Sequence, residues 1–301
     1  MKKLYIIVVF LIATQMYGQQ DPQYTQYMYN MNVINPAYAG SRENLSFGLL
    51  YRTQWTGIDG APQTGTFFGH VRAGEKVGLG LSVISDQIGP VKETNAYADF
   101  SYTLNLGGAH RLAFGVKAGA TFHDIGLNGI DLIDPNDPLF DEDINSTTPN
   151  VGAGFFYYTD NYYISFSVPN ILNSVHLDAN GYKIGTEATH YFLTAGYVFE
   201  LSANTKLKPS FLVKSSFDAP TSYDVNLNAL FYEKFEIGGS YRLDDSFSAL
   251  VNFAITPTIR IGYAYDAVTS DIKKYAPASH EFMLLFDLNF PKNVSRSPRY
   301  F

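Results

Sequence analysis

Residues 223–231 read Tyr-Asp-Val-Asn-Leu-Asn-Ala-Leu-Phe, and the alternation in that stretch decides the fold. Successive side chains of an extended chain point to opposite faces. Tyr223, Val225, Leu227, Ala229 and Phe231 therefore share one face, and Asp224, Asn226 and Asn228 share the other. Either a soluble sheet or a membrane barrel can alternate in this way. Only a wall that faces lipid must keep its apolar face free of charge along every strand.

Working outward, the same test holds in both directions. Leu45, Phe47, Leu49 and Tyr51 oppose Ser46, Gly48, Leu50 and Arg52, and Val77, Leu79, Leu81 and Val83 oppose Gly78, Gly80 and Ser82. Ala96, Ala98, Phe100, Tyr102 and Leu104 alternate with a set that includes Asp99, and Leu112, Phe114, Val116, Ala118 and Ala120 leave Lys117 on the other side. Toward the C-terminus come Tyr191 to Phe199, Phe247 to Phe253, Ile259 to Tyr265 and Phe282 to Phe290, read at every second position. None of these apolar sets contains Asp, Glu, Lys or Arg, whereas a soluble sandwich carries its charges on a solvent face.

The connections alternate in length as well. Tight ones fall at Gly74 to Lys76, Gly107 to His110, Thr159 to Asn161, Ser202 to Thr205, Glu233 to Lys234 and Thr256 with Pro257. Long ones fall at Trp55 to Pro62, Asp86 to Glu93, His123 to Pro149, Pro169 to Glu187 and Ala267 to Ser279. Short periplasmic turns and longer external loops are the habit of outer-membrane barrels. The pattern predicts an all-β, antiparallel transmembrane barrel of about fourteen strands over residues 45–290, with both ends in the periplasm and a tail over 291–301. Tyr157, Tyr158, Tyr162, Tyr163, Phe231, Tyr232 and Phe235, beside tight turns, are expected to form the inner aromatic girdle. Pro209, on the lipid side of a strand, is expected to force a bulge or an early end.

Composition agrees. The chain has 23 Tyr and 23 Phe against one Trp, and charged residues make up only 16% of it. Mean hydropathy is −0.08, and no long apolar run follows the N-terminus, which excludes helical membrane spans. A net charge of −7 argues against a nucleic-acid partner. Residues 1–18 carry Lys2 and Lys3, then an apolar run from Leu4 to Ala13, then a small residue at Gly18. That order predicts a secretory signal peptide cleaved near Gly18 or Gln19 and an outer-membrane destination. With no cysteine in the chain there is no lipid attachment site and no disulfide framework.

Opposite the lipid lie Arg52, Arg72, Lys117, Lys208, Lys214, Arg242 and Arg260, with Asp99, Glu200, Asp224, Glu236, Asp266, Glu281 and Asp287. Both signs occur in similar number, which suits a lumen of paired charges and water better than an ion-selective pore. Residues 19–44 lack alternation and are rich in Tyr, Asn and Gln. They are expected to enter the lumen as a plug-like segment that hydrogen-bonds the inner wall. Asn35, Pro36 and Tyr38 of this segment, with Arg52, Arg72, Asp99 and Arg260 of the wall, are the candidate plug and lumen residues.

The run from Gln23 to Gly40, with its block Asn35, Pro36, Ala37, Tyr38, Ala39, Gly40, resembles the N-terminal signature of the PorP/SprF family of Bacteroidetes outer-membrane proteins. Arg52 to Trp55 with Gly57, Ala61 and Pro62, the Gly78 to Ser82 strand, and the turn Ser167, Val168, Pro169, Asn170 carry the likeness further along the chain. The resemblance implies a part in type IX secretion and, in many members, gliding motility. It also implies a partner, either a secreted cell-surface protein or a component of the secretion machinery, besides outer-membrane lipids. It supplies no catalytic residues.

No GxSxG, HExxH or Walker-type loop occurs, and the six His residues are scattered, so no enzyme and no cofactor is expected. The acidic loop Asp131, Asp134, Asp137, Asp141, Glu142, Asp143 has carboxylates enough for calcium, but the prolines at 135 and 138 break the spacing of a dedicated loop, and no metal is expected. The competing function class is a FadL-like outer-membrane transporter of a hydrophobic solute, since barrels of this size with an N-terminal plug also serve that role.

Overall fold

The computed structural model describes residues 22–42, 44–127, 143–172, 175–179, 182–186, 189–216 and 220–288. The expected signal peptide, most of the acidic loop and the C-terminal tail lie outside them. The strands are Leu45–Thr53 (β1), Gln63–Arg72 (β2), Val77–Ile88 (β3), Val91–Gly107 (β4), His110–Ile125 (β5), Ile144–Tyr158 (β6) and Tyr162–Val168 (β7). Val175–Ala179 (β8) and Tyr182–Thr186 (β9) pair only with each other. His190–Tyr197 (β10), Phe199–Ser202 (β11), Thr205–Ser216 (β12), Ser222–Phe231 (β13), Phe235–Arg242 (β14), Ser246–Thr256 (β15), Ile259–Val268 (β16) and Ala278–Leu288 (β17) complete the set.

Every strand of the wall is antiparallel to its neighbours. The ring closes where β1 meets β17, from Leu45 opposite Leu288 to Thr53 opposite His280. β10 and β11 both pair with β12 and act as one wall strand, so the closed barrel has 14 strands. Closure pairs the wall strands with neighbours around the ring, the condition for strands to stand in lipid. Three register irregularities, between Asn105 and Gly107, Glu200 and Ser202, and Ala254 and Thr256, all fall just before tight turns at one rim. Bulges collect at barrel rims because an extra residue there re-aims the chain without opening the wall.

The alternation read from the sequence is the alternation of the wall. Leu49, Phe100, Phe114, Val225, Leu227, Phe247, Val251 and Phe282 are all exposed on the outer surface, while Arg52, Asp99, Lys117, Asp224 and Asn252 are buried inside.

Four local expectations are corrected. Asp86 to Glu93 is not a loop, because β3 and β4 stay paired through Ile88 and Val91 and turn tightly at Gly89 and Pro90. Pro209 neither bulges β12 nor ends it. That strand keeps its register against β13, with Pro209 opposite Leu227, and on its other side it pairs with β10 up to Ser210 and with β11 from Leu207, the two facing strands being divided at Val198. Tyr158 and Tyr163 are buried inside and do not belong to the girdle, since neighbours in a strand cannot share a face. Tyr157, bonded to His110 at 2.6 Å, and Tyr162, stacked on Tyr197, do face outward. Glu200, read as lumenal, lies on the fully exposed β11.

The core of this molecule is the lumen. Tyr27, Met28, Met31, Ile34 and Tyr38 pack there against Leu50, Phe68, Phe156, Tyr163, Phe192 and Met283 of the wall. The expectation of charges and water omitted this apolar packing. Its signal was present, because Leu50, Phe68, Leu250, Met283 and Leu285 already stood on the face assigned to the lumen.

Candidate functional site

The chemistry concentrates where residues 24–41 meet the inner wall. The segment is broken into a 3-10 turn at Tyr27–Tyr29, one helical turn at Met31–Ile34 and a second 3-10 turn at Pro36–Tyr38. Pro36 opens its turn at a position where a missing amide costs nothing. The side chain of Asn35 accepts from the amide of Ala37 at 2.9 Å and so caps that turn. Such short turns leave many backbone groups unsatisfied within the chain, and the wall must supply their partners.

On the side of β3 to β7 the contact is close and built on small residues. A Cβ added to Gly78 would strike the carbonyl of Ala39, one on Gly115 the backbone of Pro36 and Ala37, and one on Gly154 the Asn35 side chain. Gly40 takes a left-handed φ of +64° and abuts Gly78, so neither position accepts a side chain. Into this floor the wall places its own groups. Ser101 donates to the carbonyl of Ala39 at 2.5 Å, Ser167 to that of Ile34 at 2.7 Å, and Asn35 Nδ2 donates to Phe155 O at 3.0 Å and Ser165 Oγ at 2.6 Å. Lys117 Nζ stands 3.0 Å from Asp99 Oδ1 and donates to Asn32 O at 3.2 Å. Tyr38 meets His70 and Phe156 edge-on, with ring centroids 5.1 and 5.4 Å away.

The opposite wall, β12 to β17 with β1, holds the segment through charge. Glu281 accepts the amides of Thr25 and Gln26, both at 2.8 Å, while Arg52 lies 3.1 Å from Glu281 and 2.7 Å from Asp266. The Thr25 hydroxyl donates to Asp266 at 2.8 Å. Tyr29 donates to Glu236, which also accepts from Asn228 at 2.6 Å and pairs with Arg260 at 3.5 Å. Arg242 forks onto Asp224, with Nε and Nη2 each at 2.8 Å. At the rim with the tight turns Arg42 pairs with Asp287 at 2.8 Å. Buried charges persist only when paired and hydrogen-bonded, and here the segment supplies part of that pairing.

Of the candidate residues, Asn35, Pro36, Tyr38 and Asp99 come together on one side, and Arg52 and Arg260 stand on the other. Arg72 joins neither group; its guanidinium donates to the carbonyls of Gly74 and Glu75 at a tight turn. Sequence reasoning missed the wall glycines as contact residues. Their inward parity in Val77-Gly-Leu-Gly-Leu81 was the available signal. It also left the partners of Arg52 unassigned, because Asp266 and Glu281 lie more than two hundred residues away. Beside the segment, among the described residues, lie recesses of about 20 and 40 Å³. Among the described residues no group of three His, Cys, Asp or Glu side chains is placed to hold a metal ion.

A family model described as type IX secretion system membrane protein PorP/SprF matches residues 16–286. No curated relative matches the chain. Among solved structures, the CymD monoaromatic hydrocarbon channel is similar with a TM-score of 0.55 at 12% identity, over 89% of this chain and 93% of that one. A Pseudomonas aeruginosa FadL homologue gives 0.49 at 12% identity over 91% and 96%, and Acinetobacter baumannii Omp33 gives 0.46 at 12% over 83% and 100%. At 12% identity the likeness to CymD is one of fold alone.

Proposed function

We propose, for a chain that belongs to the PorP/SprF family of type IX secretion system membrane proteins, that it works as a sealed docking barrel in the outer membrane and not as a conduit. In this reading residues 24–41 are a plug, and the barrel binds a secreted cell-surface protein, or a component of the secretion machinery, through its external face. The observation that carries it is the filled lumen. Recesses of about 20 and 40 Å³ beside the segment admit a water or two, and neither a polypeptide nor a hydrophobic solute can pass them. Recognition then falls to the external connections, where a rigid wall fixes the ends of loops whose sequence is free to vary. The β8–β9 hairpin, standing apart from the wall between β7 and β10, is the largest described projection there.

Deleting the gene tests this. The expected result is unchanged general permeability of the outer membrane with loss of one secreted surface protein from the cell exterior, and, where that protein is an adhesin, loss of gliding. A deletion strain that displays every type IX substrate normally yet fails to take up a hydrophobic nutrient overturns docking in favour of a transporter.

A further inference from the structure

The segment in the lumen has a direction. Its first described residues, Pro22 and Gln23, border a recess with Lys214, Ser222, Asp224 and Arg242, and Pro22 borders a second with Pro169 and Asn170. All six wall residues lie at the rim opposite the connections at Gly74, Gly107, Thr159, Ser202, Glu233 and Thr256. Arg242 Nη2 reaches the carbonyl of Tyr24 at 3.5 Å, and Glu281, which takes the amides of Thr25 and Gln26, is near the start of β17. The other end of the segment is at the opposite rim. Arg42 meets Asp287, the penultimate residue of β17, and β1 begins at Leu45 beside Leu288. Between these ends the chain is anchored on both walls at Ser210, Asn252, Lys117, Ser167, Phe155 and Ser101.

A leader lying before β1 in a barrel whose strands start in the periplasm would by default enter from below and fold back. This one runs the other way, from the outer mouth at Pro22 down to the periplasmic rim at Arg42. We infer that the barrel is threaded by its own N-terminal segment from the outside inward, with Pro22 at the cell-surface mouth and Arg42 at the periplasmic rim. The inference rests on the orientation of the barrel, with the rim whose connections are all short facing the periplasm, and not on the identity of any partner.

The chain contains no cysteine, so single cysteines report accessibility without background. Pro22→Cys, Lys274→Cys in the exposed external connection and Glu233→Cys in an exposed tight turn are compared in whole cells with a membrane-impermeant maleimide. The expected result is labelling of the first two on intact cells and of the third only after the outer membrane is permeabilised. Labelling of Pro22→Cys only together with Glu233→Cys overturns the inference, and so does exchange of the two controls, which turns the barrel over. If half-buried Pro22→Cys stays silent in both states, an epitope inserted between Asp21 and Pro22 decides: antibody binding to intact cells supports outward threading, and binding only after permeabilisation, or none at all, refutes it.

Discussion

Arg52 of β1 and Glu281 of β17 hold each other at 3.1 Å across the seam that closes the barrel, and the same carboxylate takes two backbone amides of the N-terminal segment. Wall closure and segment anchoring are therefore one interaction. Glu281 is 0% exposed and Arg52 2%, so removing Arg52 strands both Glu281 and Asp266, whereas removing Glu281 leaves Arg52 paired with Asp266 and takes the acceptor from the amides of Thr25 and Gln26.

Arg52→Met is expected to destabilise the detergent-solubilised barrel by about 3–5 kcal/mol, the usual cost of an orphaned buried charge, because it leaves Glu281 and Asp266 without their shared cation. Glu281→Leu added to it should recover part of that loss, although Asp266 still lacks that partner. Urea unfolding followed by the shift in gel mobility of the folded barrel measures both. Equal stability of the single variant and the wild type would show that the seam does not depend on this pair.

The wall glycines give a second test. Gly115→Ala and Gly154→Ala place a methyl group against the segment, and Gly78→Ala places one against the carbonyl of Ala39, each costing about 1–3 kcal/mol as overpacking. Gly65, an outward position with open space around it, should accept alanine without effect. The inward variants are expected to expose residues 24–41 to protease while the barrel itself stays folded. Protection identical to wild type in all three would remove the close-contact floor.

Arginine scanning separates lipid from lumen by mechanism. Val251→Arg and Leu227→Arg put a charge into hydrocarbon and should cost about 2–4 kcal/mol near mid-membrane. From the alternation alone, arginine at the neighbouring Asn252 or Asn228 would be tolerated by a watery lumen. The packed interior reverses that expectation, since Asn252 Nδ2 lies 2.7 Å from the Tyr29 hydroxyl and has no space for a longer side chain. Tyr29→Ala should therefore rescue Asn252→Arg and leave Val251→Arg unimproved, as read by the folded fraction in outer membranes. Rescue of both, or of neither, contradicts the packing described.

Shortening the β8–β9 hairpin to a minimal turn between Val168 and His190 should leave barrel assembly intact, because these strands make no ladder with the wall. If the hairpin recognises the partner, the amount of secreted protein retained at the cell surface falls at least several-fold. Undiminished retention assigns docking to other external connections.

What the sequence determined by itself was the wall. Period-two alternation with an uncharged apolar face is a local property, set by strand geometry and the dielectric of lipid, and it was legible from Leu45 to Leu288 without any knowledge of contacts. The tight turns and strand number followed from the same pattern, and the block from Asn35 to Gly40 carried the family likeness. Only the tertiary structure decided the interior. Which carboxylate meets Arg52, that Gly78, Gly115 and Gly154 form a floor under the segment, and that the chain enters from the outer mouth all depend on residues brought together across the ring. The reason is geometric. Alternation states which face a side chain takes, but ring closure sets which inward side chains share a depth, and a filled lumen turns those meetings into the protein's true core.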